Sequence, residues 1–247
     1  EDGGSLFEDR LERENVKYDF VMNKGSVRVN YKIIDNKSML TEINDKGDEV
    51  SLDKQKELLS LIGKLSENAS IAVISGSLPK GVDPSFYYEA VSSVKSGVKV
   101  VVDAEKDNLK AALKHELYLI KPNLNELEEI AGESLNSKSE ILSAAGILLD
   151  KGVKNIIVSL GAEGAIFTDG SNSYFCKSAS VAVNSTVGAG DSMVASACVQ
   201  IEKGADSKEI LRCAVAAGTA SIITPGTNLF YKDKYEEIYK RLKVEKL

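Results

Sequence analysis

At 247 residues and 43% hydrophobic content, the chain can bury one large core, or a core plus a small appendage. Its 31 basic and 37 acidic residues leave a net charge of −6, with no Lys or Arg run long enough for a polyanion-binding tail, which argues against nucleic acid as a partner. Apolar runs such as those at 71–74 and 98–102, the second interrupted by Lys99, are far too short to span a bilayer and no signal-peptide pattern opens the sequence, so a soluble, cytoplasmic protein is expected.

Glu1-Asp2-Gly3-Gly4 carries no initiator Met and leads straight into an amphipathic segment at 6–16. The sequence reads as starting inside an element, and an N-terminal portion is expected to precede it. Residues 19–44 have a different texture. Val27-Arg28-Val29-Asn30-Tyr31-Lys32-Ile33 and Met39-Leu40-Thr41-Glu42-Ile43 alternate polar and apolar around a turn at Asp35-Asn36-Lys37, the pattern of antiparallel strands with one wet face. A small β-sheet is expected at 19–44, projecting from a main domain of residues 1–18 and 45–247 as a lid over a site or a pairing surface for another subunit. Arg28 and Lys32 fall on alternate positions of one strand. They can grip a phosphate together or stand as solvated charges.

Further along, short apolar runs at 71–74, 98–102, 117–120 and 156–158 alternate with helically spaced segments. This predicts βαβ units and a parallel sheet with helices on both faces. Helices are expected at 51–67, 85–94, 124–130, 138–150, 191–201, 208–222 and 232–242, and no internal repeat or long linker is visible. Polar residues follow each core strand: Ser75-Gly76-Ser77, Asp103, Lys121-Pro122-Asn123 and Ser159-Leu160-Gly161. Loops are polar for general reasons, but in open α/β sheets ligands bind outside the carboxyl ends of the strands, and these groups would meet there.

Gly76-Ser77-Leu78-Pro79-Lys80-Gly81 has P-loop glycine spacing, but Val82-Asp83 stands where Lys and Ser or Thr are required, which excludes that motif. Gly161-Ala162-Glu163-Gly164 is half of a dinucleotide fingerprint followed by a strand-like run, which argues against nicotinamide binding. In Lys121-Pro122-Asn123-Leu124-Asn125-Glu126, Asn123 and Glu126 could hold a hydrated Mg²⁺, or form an ordinary helix cap. His115 has no acid partner in sequence reach, and Cys176, Cys198 and Cys213 sit among small apolar neighbours without metal-type spacing; neither group is assigned chemistry.

Val187-Gly188-Ala189-Gly190-Asp191 runs directly into an apolar helix at 192–201. Free amides at a helix start bind anions, glycines let a phosphate approach, and an acid there can take a proton, so the turn reads as a phosphoryl-transfer site. A first-turn acid that only complements the helix dipole is the other reading.

With these pieces in place the chain resembles the PfkB group of ribokinase-like sugar kinases, its phosphosugar branch above all. The resemblance covers nearly the whole chain. It rests on Asn184-Ser185-Thr186-Val187-Gly188-Ala189-Gly190-Asp191-Ser192, Ile74-Ser75-Gly76-Ser77-Leu78-Pro79, Val102-Asp103-Ala104-Glu105, Lys121-Pro122-Asn123 with Glu126, and Val158-Ser159-Leu160-Gly161 with Gly164. It implies a three-layer αβα fold with a mostly parallel central sheet and a small antiparallel β lid. It also implies ATP- and Mg²⁺-dependent phosphorylation of a ketohexose phosphate: fructose 1-phosphate, with tagatose 6-phosphate and fructose 6-phosphate as alternatives. Asp191 would be the base and Gly188, Ala189 and Gly190 the anion hole. Arg28, Lys32 and Ser77 would hold the substrate. Lys121, Asn123, Ser159, Gly161, Glu163, Gly164 and Thr186, with Gly188 and Gly190, would line the nucleotide side, closed near Thr224-Pro225-Gly226-Thr227. Asn123 and Glu126 would organise Mg²⁺ through water. A homodimer through the lid is expected, because an exposed strand pair is an edge that needs cover. The group's N-terminal third, with its sugar-binding aspartate and glycine-rich loop, has no counterpart before Glu1, and Asn44-Asp45-Lys46-Gly47 lacks the prolines that usually follow the lid strand. A non-catalytic sugar-phosphate or nucleotide sensor is the competing function.

Overall fold

The computed structural model describes residues 4–34 and 40–247. Helix α1 (Gly4–Arg13) buries none of its residues. Strands β1 (Tyr31–Ile34) and β2 (Leu40–Ile43) pair antiparallel as a separate two-stranded sheet, Tyr31 opposite Ile43 and Lys32 opposite Glu42. The turn expected at 35–37 lies outside the described residues. The first lid strand is shorter than the alternation at 27–33 suggests, because side chains and not a ladder hold residues 26–30: Asn30 Oδ1 accepts from the Asp45 amide and Asp48 Oδ2 from the Ser26 amide.

The main body follows as α2 (Leu52–Ser66), β3 (Ile71–Ser75), α3 (Ser85–Ser93), β4 (Lys99–Asp103), α4 (Lys106–Ala112), β5 (Leu117–Ile120), α5 (Leu124–Ala131), α6 (Lys138–Leu149), β6 (Val153–Ser159), β7 (Ala165–Thr168), β8 (Ser173–Cys176), α7 (Ala189–Glu202), α8 (Ser207–Ser221), α9 (Lys232–Arg241) and β9 (Val244–Lys246). Seven strands form one sheet in the order β3-β4-β5-β6-β7-β8-β9. β3 to β6 run parallel, each reached through helical crossovers, whereas β6 to β9 run antiparallel. The parallel expectation therefore holds for one half of a mixed sheet. In the other half β6, β7 and β8 turn back through short connections, including the Asp169 turn, whose carboxylate accepts the amides of Ser171 and Asn172, and β9 joins the edge only after α7, α8 and α9.

Period-two alternation divides the strands between two cores. Val100, Val102, Ile120, Ile156, Val158 and Ile166 pack under α3 to α6, while Val101, Leu119, Ile157, Ala165 and Phe167 pack under α7 to α9. Strands buried on both faces read as continuous apolar runs, which is why Val100-Val101-Val102 stands out in the sequence. Helix starts are capped where the chemistry calls for it: Ser51, Ser137 and Asp206 each accept the amide three residues on. Among the described residues no helix is long and apolar enough to cross a membrane.

Helices α7 and α8 pack against each other where Gly218 faces Met193 and the Ala189 carbonyl. A Cβ on Gly218 would stand 2.7 Å from Met193 Cγ and 3.3 Å from that carbonyl. The bare glycine therefore sets how the first turn of α7 sits over the sheet. Gly218→Val should overpack this contact and lower unfolding free energy by about 1–3 kcal/mol in denaturant titration. An unchanged midpoint would show that the helices separate freely.

Candidate active site

Parallel register brings the carboxyl ends of β4, β5 and β6 to one rim. Asp103 ends β4, Lys121 follows β5, and Ser159 ends β6, its amide donating to the Pro122 carbonyl at 3.0 Å. Lys121 is 8% exposed, and its Nζ lies 3.3 Å from Asp103 Oδ1. Burial raises the pKa of Asp103, Lys121 opposes that rise, and the negative charge of Asp191 adds to it. Asp191 thus lies close enough to this pair to be felt electrostatically.

Helix α7 begins at Ala189, earlier than expected, so Ala189, Gly190 and Asp191 form its first turn. Gly188 caps it with φ 77°, a left-handed conformation that glycine adopts without strain. The Ser192 amide closes onto the Gly188 carbonyl at 2.9 Å, and the Ala189 amide leans on the Thr186 carbonyl at 3.4 Å. The amides of Gly190 and Asp191 find no acceptor among the described residues. Lys121 reaches the same point: a Cβ on Gly190 would be 3.1 Å from its Nζ. Two free amides, the positive end of a 14-residue helix, a buried ammonium and the exposed carboxylate of Asp191 therefore converge at the rim. Such a set has the chemistry to stabilise an oxyanion with a proton acceptor beside it.

Asn123 and Glu126 form a complete capping box at the start of α5. Asn123 Oδ1 accepts the Glu126 amide at 2.9 Å, and Glu126 Oε2 accepts the Asn123 amide at 2.8 Å. Burial raises the pKa of Glu126, with the Asn123 amide and Lys121 working against the rise. Among the described residues no group of three or more His, Cys, Asp or Glu is placed to hold a metal ion. From the lid side, Arg28 Nη1 donates to Ser77 Oγ at 2.7 Å, joining the segment before β1 to the rim loop after β3. That loop is fixed from below by the Tyr87 hydroxyl on the Gly76 carbonyl at 2.5 Å. Lys32 lies farther along the lid in β1. His115 is stacked on Tyr88 at 4.3 Å with its Nε2 3.0 Å from Ser92 Oγ, a structural position.

A cavity of about 610 Å³ opens beside the α7 turn. Of the residues expected on the nucleotide side, Ser159, Gly161, Glu163, Gly164, Thr186 and Gly190 line it, and Lys121, Asn123 and Gly188 do not. Gly164, at φ 111°, lets the β6–β7 connection pass against the Cys176 carbonyl; a Cβ there would run into it and stand 2.8 Å from the Ser178 amide. Sequence reasoning missed the apolar wall formed by Val181, Val183, Val215 and Ile222. Val215 and Ile222 share the apolar spacing of α8, and nothing in the sequence separates a cavity wall from a core. Thr224, expected to close the pocket, is buried instead with its hydroxyl on the Ser221 carbonyl at 2.6 Å.

The chain matches the pfkB family carbohydrate kinase profile over residues 1–234. It is 34% identical over 215 residues to the 1-phosphofructokinase of Borreliella burgdorferi, covering 86% of this chain and 69% of that protein. It is 31% identical to the tagatose-6-phosphate kinase of Staphylococcus epidermidis, covering 98% and 79%. The crystal structure of phosphofructokinase-2 from Escherichia coli in complex with substrates and products superposes with a TM-score of 0.89 at 31% identity, covering 97% of this chain and 79% of that one.

The Lys121–Asp103 pair is testable apart from any activity. Removing one partner leaves the other buried and uncompensated, so Asp103→Asn should destabilise the fold by about 3 kcal/mol in denaturant titration. Replacing both, with Lys121→Met and Asp103→Leu together, should recover most of that loss. Additive losses in the double variant would mean the two side chains are not coupled.

Proposed function

The chain belongs to the pfkB family of carbohydrate kinases, phosphotransferases with an alcohol acceptor, and we propose that it moves the γ-phosphoryl group of ATP to a hydroxyl of fructose 1-phosphate. The observation that carries this reading is the convergence at the start of α7: two unsatisfied amides, the Lys121 ammonium and the Asp191 carboxylate. Asp191 takes the proton from the attacking sugar hydroxyl as its oxygen bonds to the γ-phosphorus and the bond to the bridging oxygen of the leaving ADP breaks. The Gly190 and Asp191 amides and Lys121 face the negative charge on the transferring group. Arg28 supplies a bidentate clamp for the phosphate already on the sugar, with Lys32 adding charge and Ser77 beside the sugar. Ser159, Gly161, Glu163, Gly164 and Thr186 line the cavity that takes the nucleotide. Asn123 and Glu126 would hold, through water, a Mg²⁺ ion carried by the triphosphate, and the ion would supply neutralisation of phosphate charge. Their capping box suits a role in which the ion brings most of its own ligands.

Tagatose 6-phosphate is the second substrate to try, since one relative is named for that reaction. The three free cysteines fit a reducing, cytoplasmic setting. Asp191→Asn should lower kcat by about 10²- to 10⁴-fold while ATP affinity stays within a few-fold. A sensor without chemistry would instead bind both ligands and release no ADP with either sugar phosphate.

We also propose a homodimer through the lid. Tyr31, Ile33 and Ile43 lie on one face of the β1–β2 sheet and are each more than half exposed. A second copy laid face to face would cover them. Ile33→Glu should shift the sedimentation coefficient from dimer to monomer at micromolar concentration. A monomeric parent protein would refute the arrangement.

A further inference from the structure

The proposed chemistry leaves unused one hydroxyl that is buried beneath the substrate rim. Tyr87, on α3, is 2% exposed and belongs to the apolar core under α3 to α6. A phenyl ring alone would serve that packing, so the oxygen needs a reason of its own. It donates to the Gly76 carbonyl in the loop after β3. Burial, and after it the negative charges of Asp103 and Glu105, push the phenol pKa up to about 12, so the group stays an O–H donor near neutral pH.

Little else holds the loop at that point. Among the described strands β3 has β4 as its one neighbour in the seven-stranded sheet, and their pairing ends at Ser75 opposite Asp103. Gly76, at φ 102°, has no side chain to pack, and among the described residues its carbonyl accepts no backbone amide. The next residue is Ser77, whose Oγ accepts Arg28 Nη1 at 2.7 Å. A guanidinium is a rigid fork, so the direction of its other N–H groups follows from the one it gives to Ser77. A line of contacts thus runs from the core through the Tyr87 hydroxyl and the Gly76–Ser77 peptide to the lid cation. Residues 75–79 do not line the cavity beside α7.

We propose that Tyr87 is a positioning residue for the sugar phosphate: its hydroxyl fixes the Gly76–Ser77 peptide, so that Ser77 and Arg28 present one arrangement to the substrate. This rests on the reading in which Ser77 and Arg28 hold the sugar phosphate. Tyr87 takes no part in proton transfer and is remote from the nucleotide side. Its contribution is preorganisation, because a rim loop ordered in advance is not ordered at the expense of binding. Gly76 is exposed, so water replaces the lost donor when the hydroxyl is removed, and the fold loses little.

Tyr87→Phe keeps the ring and removes the one atom at issue. KM for fructose 1-phosphate should rise about five- to twentyfold, while kcat and KM for ATP stay within about twofold. The thermal midpoint should fall by less than about 4 °C. Because Tyr87 acts through its neighbour, adding Tyr87→Phe to Ser77→Ala should weaken the sugar phosphate by no more than about twofold further. Calorimetric titration of the same variants with fructose 1-phosphate reads binding without turnover. An unchanged KM for the sugar phosphate, equal losses for sugar phosphate and ATP, a larger fall in the midpoint, or full additivity with Ser77→Ala overturns the inference. Failure of the underlying reading looks different: Ser77→Ala and Arg28→Ala bind the sugar phosphate as well as the parent does, and the positioning role falls with it. If the parent binds the sugar phosphate but releases no ADP, the kinase reading fails alone, and the same loss in calorimetric affinity still supports the role of Tyr87. A parent that binds no sugar phosphate refutes both.

Discussion

Everything at the rim turns on one buried cation. Lys121 is carried to the tip of a central strand and loses most of its water, which a lone ammonium does not tolerate. Asp103, from the neighbouring strand, supplies part of the compensation, and the start of α7 stands against the other side. The pair is held by the parallel register and the helix position by Gly218, so the electrostatics of the site is fixed by the packing of the whole sheet. A charge placed this way is preorganised: it needs no rearrangement when negative charge develops beside it.

Much of the architecture is legible in the sequence because burial on both faces leaves uninterrupted apolar runs, and amphipathic helices leave a period of 3.6. The four parallel strands and seven of the helices follow from those two signals. Helix α4 does not, because Glu105-Lys106-Asp107-Asn108 opens it with polar residues and only Leu109, Ala111 and Ala112 are buried. The antiparallel half of the sheet is equally quiet. β8 and β9 are short, and the tip of β9 is exposed, so neither shows a run or a clean alternation. In the lid the alternation at 27–33 is real, but the facing strand is only four residues long, and a ladder cannot extend past its partner.

The site was legible to the extent that backbone chemistry decides it. Glycines followed by an acid ahead of an apolar helix announce an anion-binding turn, and the family resemblance supplied an order for the other segments. What the sequence could not convey is relative placement. Lys121 was expected along the nucleotide cavity and stands at its edge, beside the lining residue Gly190 without lining the cavity itself, because the β5 tip is the neighbour of the β6 tip that does. The aliphatic cavity wall was invisible for a different reason, since apolar side chains carry no mark that says whether they face another side chain or a ligand.

Among the described residues, solvent-facing bonds tie down the lid segment: Arg28 on Ser77, Asn23 on the Glu49 carbonyl, Ser26 on Asp48 and Asp45 on Asn30. None of them is shielded by the large apolar cores beneath the sheet. Amide protons in the small sheet should therefore exchange through openings far cheaper than unfolding of the body. On heating, the small sheet should accordingly come loose on a scale of its own, before the seven-stranded body gives way.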